Sequence, residues 1–128
     1  MILAESRPVD PRQQLGRLGE FAAGETLERA GMRILERRCR NRAGEIDLIA
    51  EDGEILVFVE VKTRAGIGYG RPAEAVTRTK QQRMGRVALI YLSRKKWLER
   101  RCRFDVVEVF ARESRVERVN HIRDAFRL

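Results

Sequence analysis

An α/β domain, built as a mixed sheet flanked by helices, is the fold class this sequence predicts. Three observations carry that expectation: a helix-period segment closed by glycine near the N-terminus, two apolar strands joined by Asp52-Gly53, and a second helical stretch after them. The chain is 128 residues long, which suits one buried core rather than two. Residues 1–11 are expected as a flexible N-terminal segment and residues 12–128 as a single domain.

Gln13 to Ala30 reads as a helix, and Gly31 after it is able to take the left-handed C-cap conformation. Gly16, Gly19, Glu20, Ala23, Leu27 and Ala30 share one face, whose small residues permit close packing on a sheet, with Glu20 pointing into that contact. Met32 to Arg40 reads as a strand ending in an Asn-Arg-Ala-Gly turn at residues 41–44. Glu45 to Glu51 and Glu54 to Thr63 form the strongest strand pair in the chain. Arg64 to Pro72, with three glycines and a proline, is a loop. From Ala73 to Ser93 the pattern is helical, with Val76, Met84, Val87 and Tyr91 on one stripe and, unusually for a charged residue, Lys80 among them. Arg103 to Phe110 and Arg115 to Ile122 are two further strands, so the order is αβββαβ(β).

Composition excludes several chemistries. Two Cys and one His leave three N/S ligands, too few for a closed four-ligand zinc site. No serine sits in a nucleophile elbow, and His121, in a basic polar stretch, reads as a surface residue. No phosphate-cradling GxxxxGK[ST] or GxGxxG turn is present. The longest apolar run, Val87 to Leu92, is six residues, against about 20 for a membrane span. Met1 to Asp10 holds no apolar leader core, so the expected location is cytoplasmic, where Cys39 and Cys102 stay reduced.

Charge is unevenly spread. The sum is +8, yet Arg78 to Arg103 alone carries ten bases and one acid, whereas Glu45 to Glu60 carries six acids and no base. A basic body around an acidic patch suits a protein that attracts phosphodiesters and holds a cation against them. A solvated arginine-rich surface without a partner has the same composition, so both readings stay open.

The hairpin brings the acids together. If Asp52 and Gly53 are the two turn residues, Glu51 opposes Glu54 and one face carries Ile46, Leu48, Ala50, Ile55, Val57, Val59 and Val61, all apolar. The other face carries Asp47, Ile49, Leu56, Phe58, Glu60 and Lys62. Asp47 then opposes Phe58 and lies diagonal to Glu60, roughly 5–8 Å away at the β-carbons. Two carboxylates and a lysine on a largely apolar strand pair are tolerated when they pair or hold a metal. A solvent-exposed strand end, with Lys62 neutralising Glu60, is the competing explanation.

Asp47, twelve residues, then Glu60-Val61-Lys62 at the end of an apolar strand resembles the PD-(D/E)xK nuclease signature. Gly44-Glu45-Ile46-Asp47-Leu48-Ile49, Phe58-Val59-Glu60-Val61-Lys62-Thr63-Arg64, Gly16-Arg17-Leu18-Gly19-Glu20 and Arg103-Phe104-Asp105-Val106 resemble the bacterial YraN-like family, which is similar to archaeal Holliday-junction resolvases. The resemblance implies a restriction-endonuclease-like core. It makes Asp47 and Glu60 metal carboxylates for Mg²⁺ or Mn²⁺, with the Val61 carbonyl and Glu20 as further ligands and Lys62 as the residue that positions the attacking water. Arg64, Arg78, Lys80, Arg83 and Arg86 would contact nucleic acid, with DNA, including branched DNA, as the expected substrate and a homodimer as a possible assembly. Lys80 has a second reading, as a stem lying on the core with its head in water. The Gln-x-x-x-Tyr motif of RecB-like members is absent. A non-catalytic nucleic-acid-binding module that keeps the same fold is the alternative function.

Overall fold

The computed structural model describes residues 10–66 and 76–128. Pro11–Arg29 forms α1. Asp10 caps it, its carboxylate accepting the Arg12 N–H at 2.9 Å, and Pro11 stands where a missing N–H is harmless. The helix thus starts before the expected Gln13 and draws Pro11 out of the segment expected over residues 1–11; residues 1–9 lie outside the described residues. Gly31, at φ +92°, ends it as expected. The buried face comprises Gly19, Ala22, Ala23, Gly24 and Leu27. Gly16 meets open space and Ala30 is exposed, so both drop out of the expected contact face.

Five strands follow: β1 Arg33–Asn41, β2 Gly44–Asp52, β3 Ile55–Ala65, β4 Cys102–Arg112 and β5 Arg115–Phe126, with α2 at Arg78–Lys95 between β3 and β4. They form one sheet in order β1-β2-β3-β4-β5. Only β3 and β4 pair in parallel, because α2 carries the chain back along the sheet between them. The mixed sheet and the αβββαβ(β) order agree with the sequence reading. α1 covers one face through Ala22, Ala23 and Leu27 on Leu48, Val57, Val59, Val107 and Val109. α2 covers the other through Val87, Ala88, Tyr91 and Leu92 on Ile49, Leu56 and Phe58. Among the described residues no helix is long and apolar enough to cross a membrane.

The central hairpin differs in register from the expectation. Asp52 pairs with Ile55 and Leu48 with Val59, so the turn residues are Gly53 and Glu54, not Asp52 and Gly53. Gly53 takes φ +60° and Glu54 does not have positive φ, the signature of a turn with glycine first. Because the slip is two residues, alternation is preserved and β3 keeps its expected faces, Val57 and Val59 toward α1 and Leu56 and Phe58 toward α2. Ile46 does not: it packs in the α2-side cluster, away from Leu48 and Ala50. The strand therefore departs from a regular pleat at Asp47, just past Leu48–Val59, the last pair of its ladder with β3.

Three other boundaries shift. β3 runs on through Ala65, so Arg64 belongs to a strand rather than a loop; residues 67–75, including Gly68, Gly70 and Ala73, lie outside the described residues. Thr77 caps α2 through Lys80 N–H, which leaves Val76 before the helix. β5 continues past Ile122 to Phe126.

His121 is not a surface residue. It pairs with Val107 and its Nε2 lies 2.8 Å from Oδ2 of Asp105, a carboxylate that is 0% exposed. Arg103 also donates to Asp105 and, at 2.8 Å, to Asp52 beside the hairpin turn. The Asp124 N–H adds a further bond to Asp105. Burial alone would raise the Asp105 carboxyl, but bonds from His121, Arg103 and Asp124 outweigh it and hold it below its ordinary value. This network ties β4 and β5 to the hairpin turn.

Candidate active site

The place where β2 leaves β3 is where the acidic side chains gather. One more step in the hairpin register sets Asp47 across from Glu60, nearer than the diagonal the sequence predicted. At that step a side chain replaces the ladder: Asp47 Oδ2 accepts the Val61 N–H at 2.7 Å. The N–H and C=O of one strand residue point to the same side, so the Val61 carbonyl also turns toward the opening.

Each further group arrives from a different element. α1 approaches β3 so closely that a Cβ on Gly19 would fall 1.8 Å from Thr63 Oγ1. Glycine at that position is what lets Glu20, the next residue, reach the opening. Glu20 Oε2 accepts from Arg38 Nε at 2.9 Å. Arg38 holds φ +53° in the middle of β1, a conformation costing about 1–3 kcal/mol for a non-glycine residue. Glu60 is 5% exposed, and Lys80 of α2 closes on its Oε1. Glu20, Glu45, Asp47, Glu60, Lys80 and Arg83 line one cleft of about 380 Å³, completed by Gly44 and Met84. Residues from both faces of the sheet thus meet through the gap between β2 and β3.

Electrostatics in the cleft are strained in a specific direction. Burial, then repulsion from Glu60, push the Asp47 carboxyl up from 3.8 to about 7, against the pull of the Val61 N–H. Burial, then the neighbouring Lys80 charge, lower the Lys62 ammonium. Lys62 is half-buried, makes no ion pair among the described residues, and stands beside the cleft rather than in its wall. Arg78, Arg83 and Arg86 are exposed on α2, and only Arg83 of the three borders the cleft. Arg64 is turned instead toward Glu108, a 0% exposed carboxylate 3.6 Å from its Nε.

The donor set contains only oxygen: three carboxylates and a main-chain carbonyl, which suits a hard divalent ion such as Mg²⁺ or Mn²⁺ and would not select zinc. Asp47 and Glu60 already repel one another, the electrostatic condition that such an ion relieves. As the side chains stand, no three His, Cys, Asp or Glu among the described residues come close enough to hold one ion together. Each acid is instead drawn to its own partner: Glu20 to Arg38, Asp47 to Val61 and Glu60 to Lys80.

Sequence reasoning missed Arg38 and Glu108. Arg38 was visible as one of a run of arginines, but nothing in the residue types announces a positive φ. Glu108 sits in an apolar strand, Val106 to Phe110, where an isolated acid is the only signal.

The model of the uncharacterised protein family UPF0102 matches residues 19–109, a span that includes Glu20, the hairpin and Lys80. The UPF0102 protein of Symbiobacterium thermophilum is 57% identical over 97 residues, covering 76% of this chain and 82% of that protein. A UPF0102 protein of Rhodococcus opacus is 49% identical over 112 residues, covering 88% and 95%. One from Pelotomaculum thermopropionicum is 48% identical over 118 residues, covering 91% and 98%.

Proposed function

The chain belongs to the uncharacterised protein family UPF0102, the YraN-like group, and from that premise we propose that it is a divalent-metal-dependent phosphodiesterase acting on nucleic acid, with DNA, including branched DNA, as the substrate class. The observation that carries this reading is the convergence of Glu20, Asp47 and Glu60 on one cleft whose rim is cationic. A pure binding surface gains nothing from buried acids beside its phosphate track, since they repel the ligand.

In this reading Asp47 and Glu60 hold the ion, with Glu20 and the Val61 carbonyl completing the oxygen set. When bound there, Mg²⁺ or Mn²⁺ supplies Lewis-acid polarisation of the phosphoryl group and lowers the pKa of a coordinated water. Lys62, its proton loosened by burial and by Lys80, orients the attacking water and offsets negative charge as it develops. Arg83, with Arg78 and Arg86 along the same helix, draws the flanking phosphates to the cleft. A symmetric pair of chains would suit a two-strand cut. Such work fits a cytoplasmic location.

The test is incubation of the full chain with Mg²⁺ or Mn²⁺ and duplex, single-stranded, flap and four-way DNA, beside Asp47→Ala and Lys62→Ala. Metal-dependent cleavage by the parent alone supports the reading. One observation favours a second reading, a binding module without turnover: no three acids converge on a single point among the described residues. Salt-sensitive DNA binding without cleavage, identical in all three proteins, selects it.

A further inference from the structure

Lys80 reaches Glu60 from a position where an exposed cation is not expected. It stands in the first turn of α2, one turn before Met84, on the stripe that Met84, Val87 and Tyr91 continue into the core. Its side chain is nevertheless 36% exposed, so the ion pair is open to the cleft. Glu60 has no other ion-pair partner among the described residues. A carboxylate 5% exposed must be neutralised, and a lysine does so with a compact charge on a flexible stem, with no second ion pair among the described residues. Arg38 restrains Glu20 in the same way from the opposite side. Two of the cleft's acids are therefore already held by cations, Glu60 by Lys80 and Glu20 by Arg38, each on an oxygen that a hard ion would use.

We propose that Lys80 is an exchangeable counterion: its ammonium and a divalent ion compete for Glu60 Oε1, and once displaced it turns to the phosphate that the ion accompanies. This rests on the reading that Asp47 and Glu60 hold such an ion. No bond is made or broken in the exchange. One positive charge moves from a carboxylate to a phosphate within a side chain's reach, which gives a reason for a lysine on an otherwise apolar stripe.

The experiment is Mn²⁺ binding to the full chain without nucleic acid, followed by loss of the aquo-Mn²⁺ electron paramagnetic resonance signal. Lys80→Met removes the competitor and is expected to bind Mn²⁺ about tenfold more tightly than the parent. Lys80→Arg substitutes a planar fork that grips a carboxylate in two places, and is expected to bind Mn²⁺ several-fold more weakly. Lys96→Met, exposed at the far end of α2, serves as the charge control and should match the parent. In Ca²⁺, Lys80→Met should bind duplex DNA more weakly despite holding the ion better. A merely structural lysine predicts the reverse for the ion, since damage to the pair can only loosen the site. Unchanged or weaker Mn²⁺ binding by Lys80→Met overturns the exchange, and undiminished DNA binding overturns the handover. Should Lys80→Met not fold, unchanged or tighter binding by Lys80→Arg overturns the exchange equally. A parent protein that binds no Mn²⁺ removes the metal reading and this inference together, whereas normal parental binding with indifferent variants removes the exchange alone.

Discussion

Asp47→Asn is expected to stabilise the ion-free protein at alkaline pH. Burial and Glu60 hold the Asp47 carboxyl up at about 7, against 3.8 for an unperturbed one. A group raised in the folded state contributes its full stability below its unfolded value, and that stability is lost as pH rises through about 7. At 1.36 kcal/mol per pH unit of separation, the loss is about 4 kcal/mol if Asp47 bears it alone. Relaxation of the surrounding groups shares the burden, so about 2 kcal/mol is the working figure. Asparagine cannot ionise, and its amide oxygen can still accept the Val61 N–H. Thermal melts without divalent ions should then show the variant about 8 °C above the parent near pH 8, converging as pH falls toward 4. Divalent ions should raise the parent's melting temperature and leave the variant unmoved, since binding to the folded state alone stabilises it. An Asp47→Asn protein no more stable than the parent near pH 8 would refute the electrostatic conflict at the heart of the cleft.

Three other outcomes follow from the geometry. Gly19→Ala should cost about 1–3 kcal/mol in urea unfolding, and Thr63→Ala in the same chain should recover part of it, because the clash is with the Thr63 side chain; simple additivity would count against the close approach. Asp105→Ala should cost about 3–5 kcal/mol, since it strands Arg103 and His121 around a buried hole; a loss below about 1 kcal/mol would show the network to be dispensable. Arg83→Gln should weaken DNA binding evenly across sequences and reduce the slope of log affinity against log salt by about 1, whereas an unaltered slope would place the phosphates elsewhere.

Much of the fold was legible because its signals are periodic. Alternation placed Leu48, Val57 and Val59 on one face and Leu56, Phe58 and Glu60 on the other, and that assignment survived a misplaced turn. Asp-Gly reads as a turn with glycine second; the chain uses glycine first, and the register moved so that Asp47 came across from Glu60. What periodicity could not show is where regularity stops. Ile46 changed sides where the ladder between β2 and β3 ends, and it packs with Val87 and Tyr91 of α2, a contact set by residues some forty positions away in the chain. His121 read as exposed because its neighbours are polar, yet its partner Asp105 is supplied by the adjacent strand, which composition does not reveal. Glu20 was legible from its helix face, whereas the strained backbone of Arg38 that holds it was not.

The bond from Val61 N–H to Asp47 gives the strand an internal reporter. Most amides of a central strand answer to a neighbouring backbone and exchange with solvent only when the sheet opens. This one answers to a side chain. Its proton resonance should follow the charge and occupancy of that carboxylate while the amides of Val57 and Val59 on the same strand stay still. A single line in a nitrogen-edited spectrum of the isotope-labelled chain would then register an ion or a phosphate arriving, without turnover.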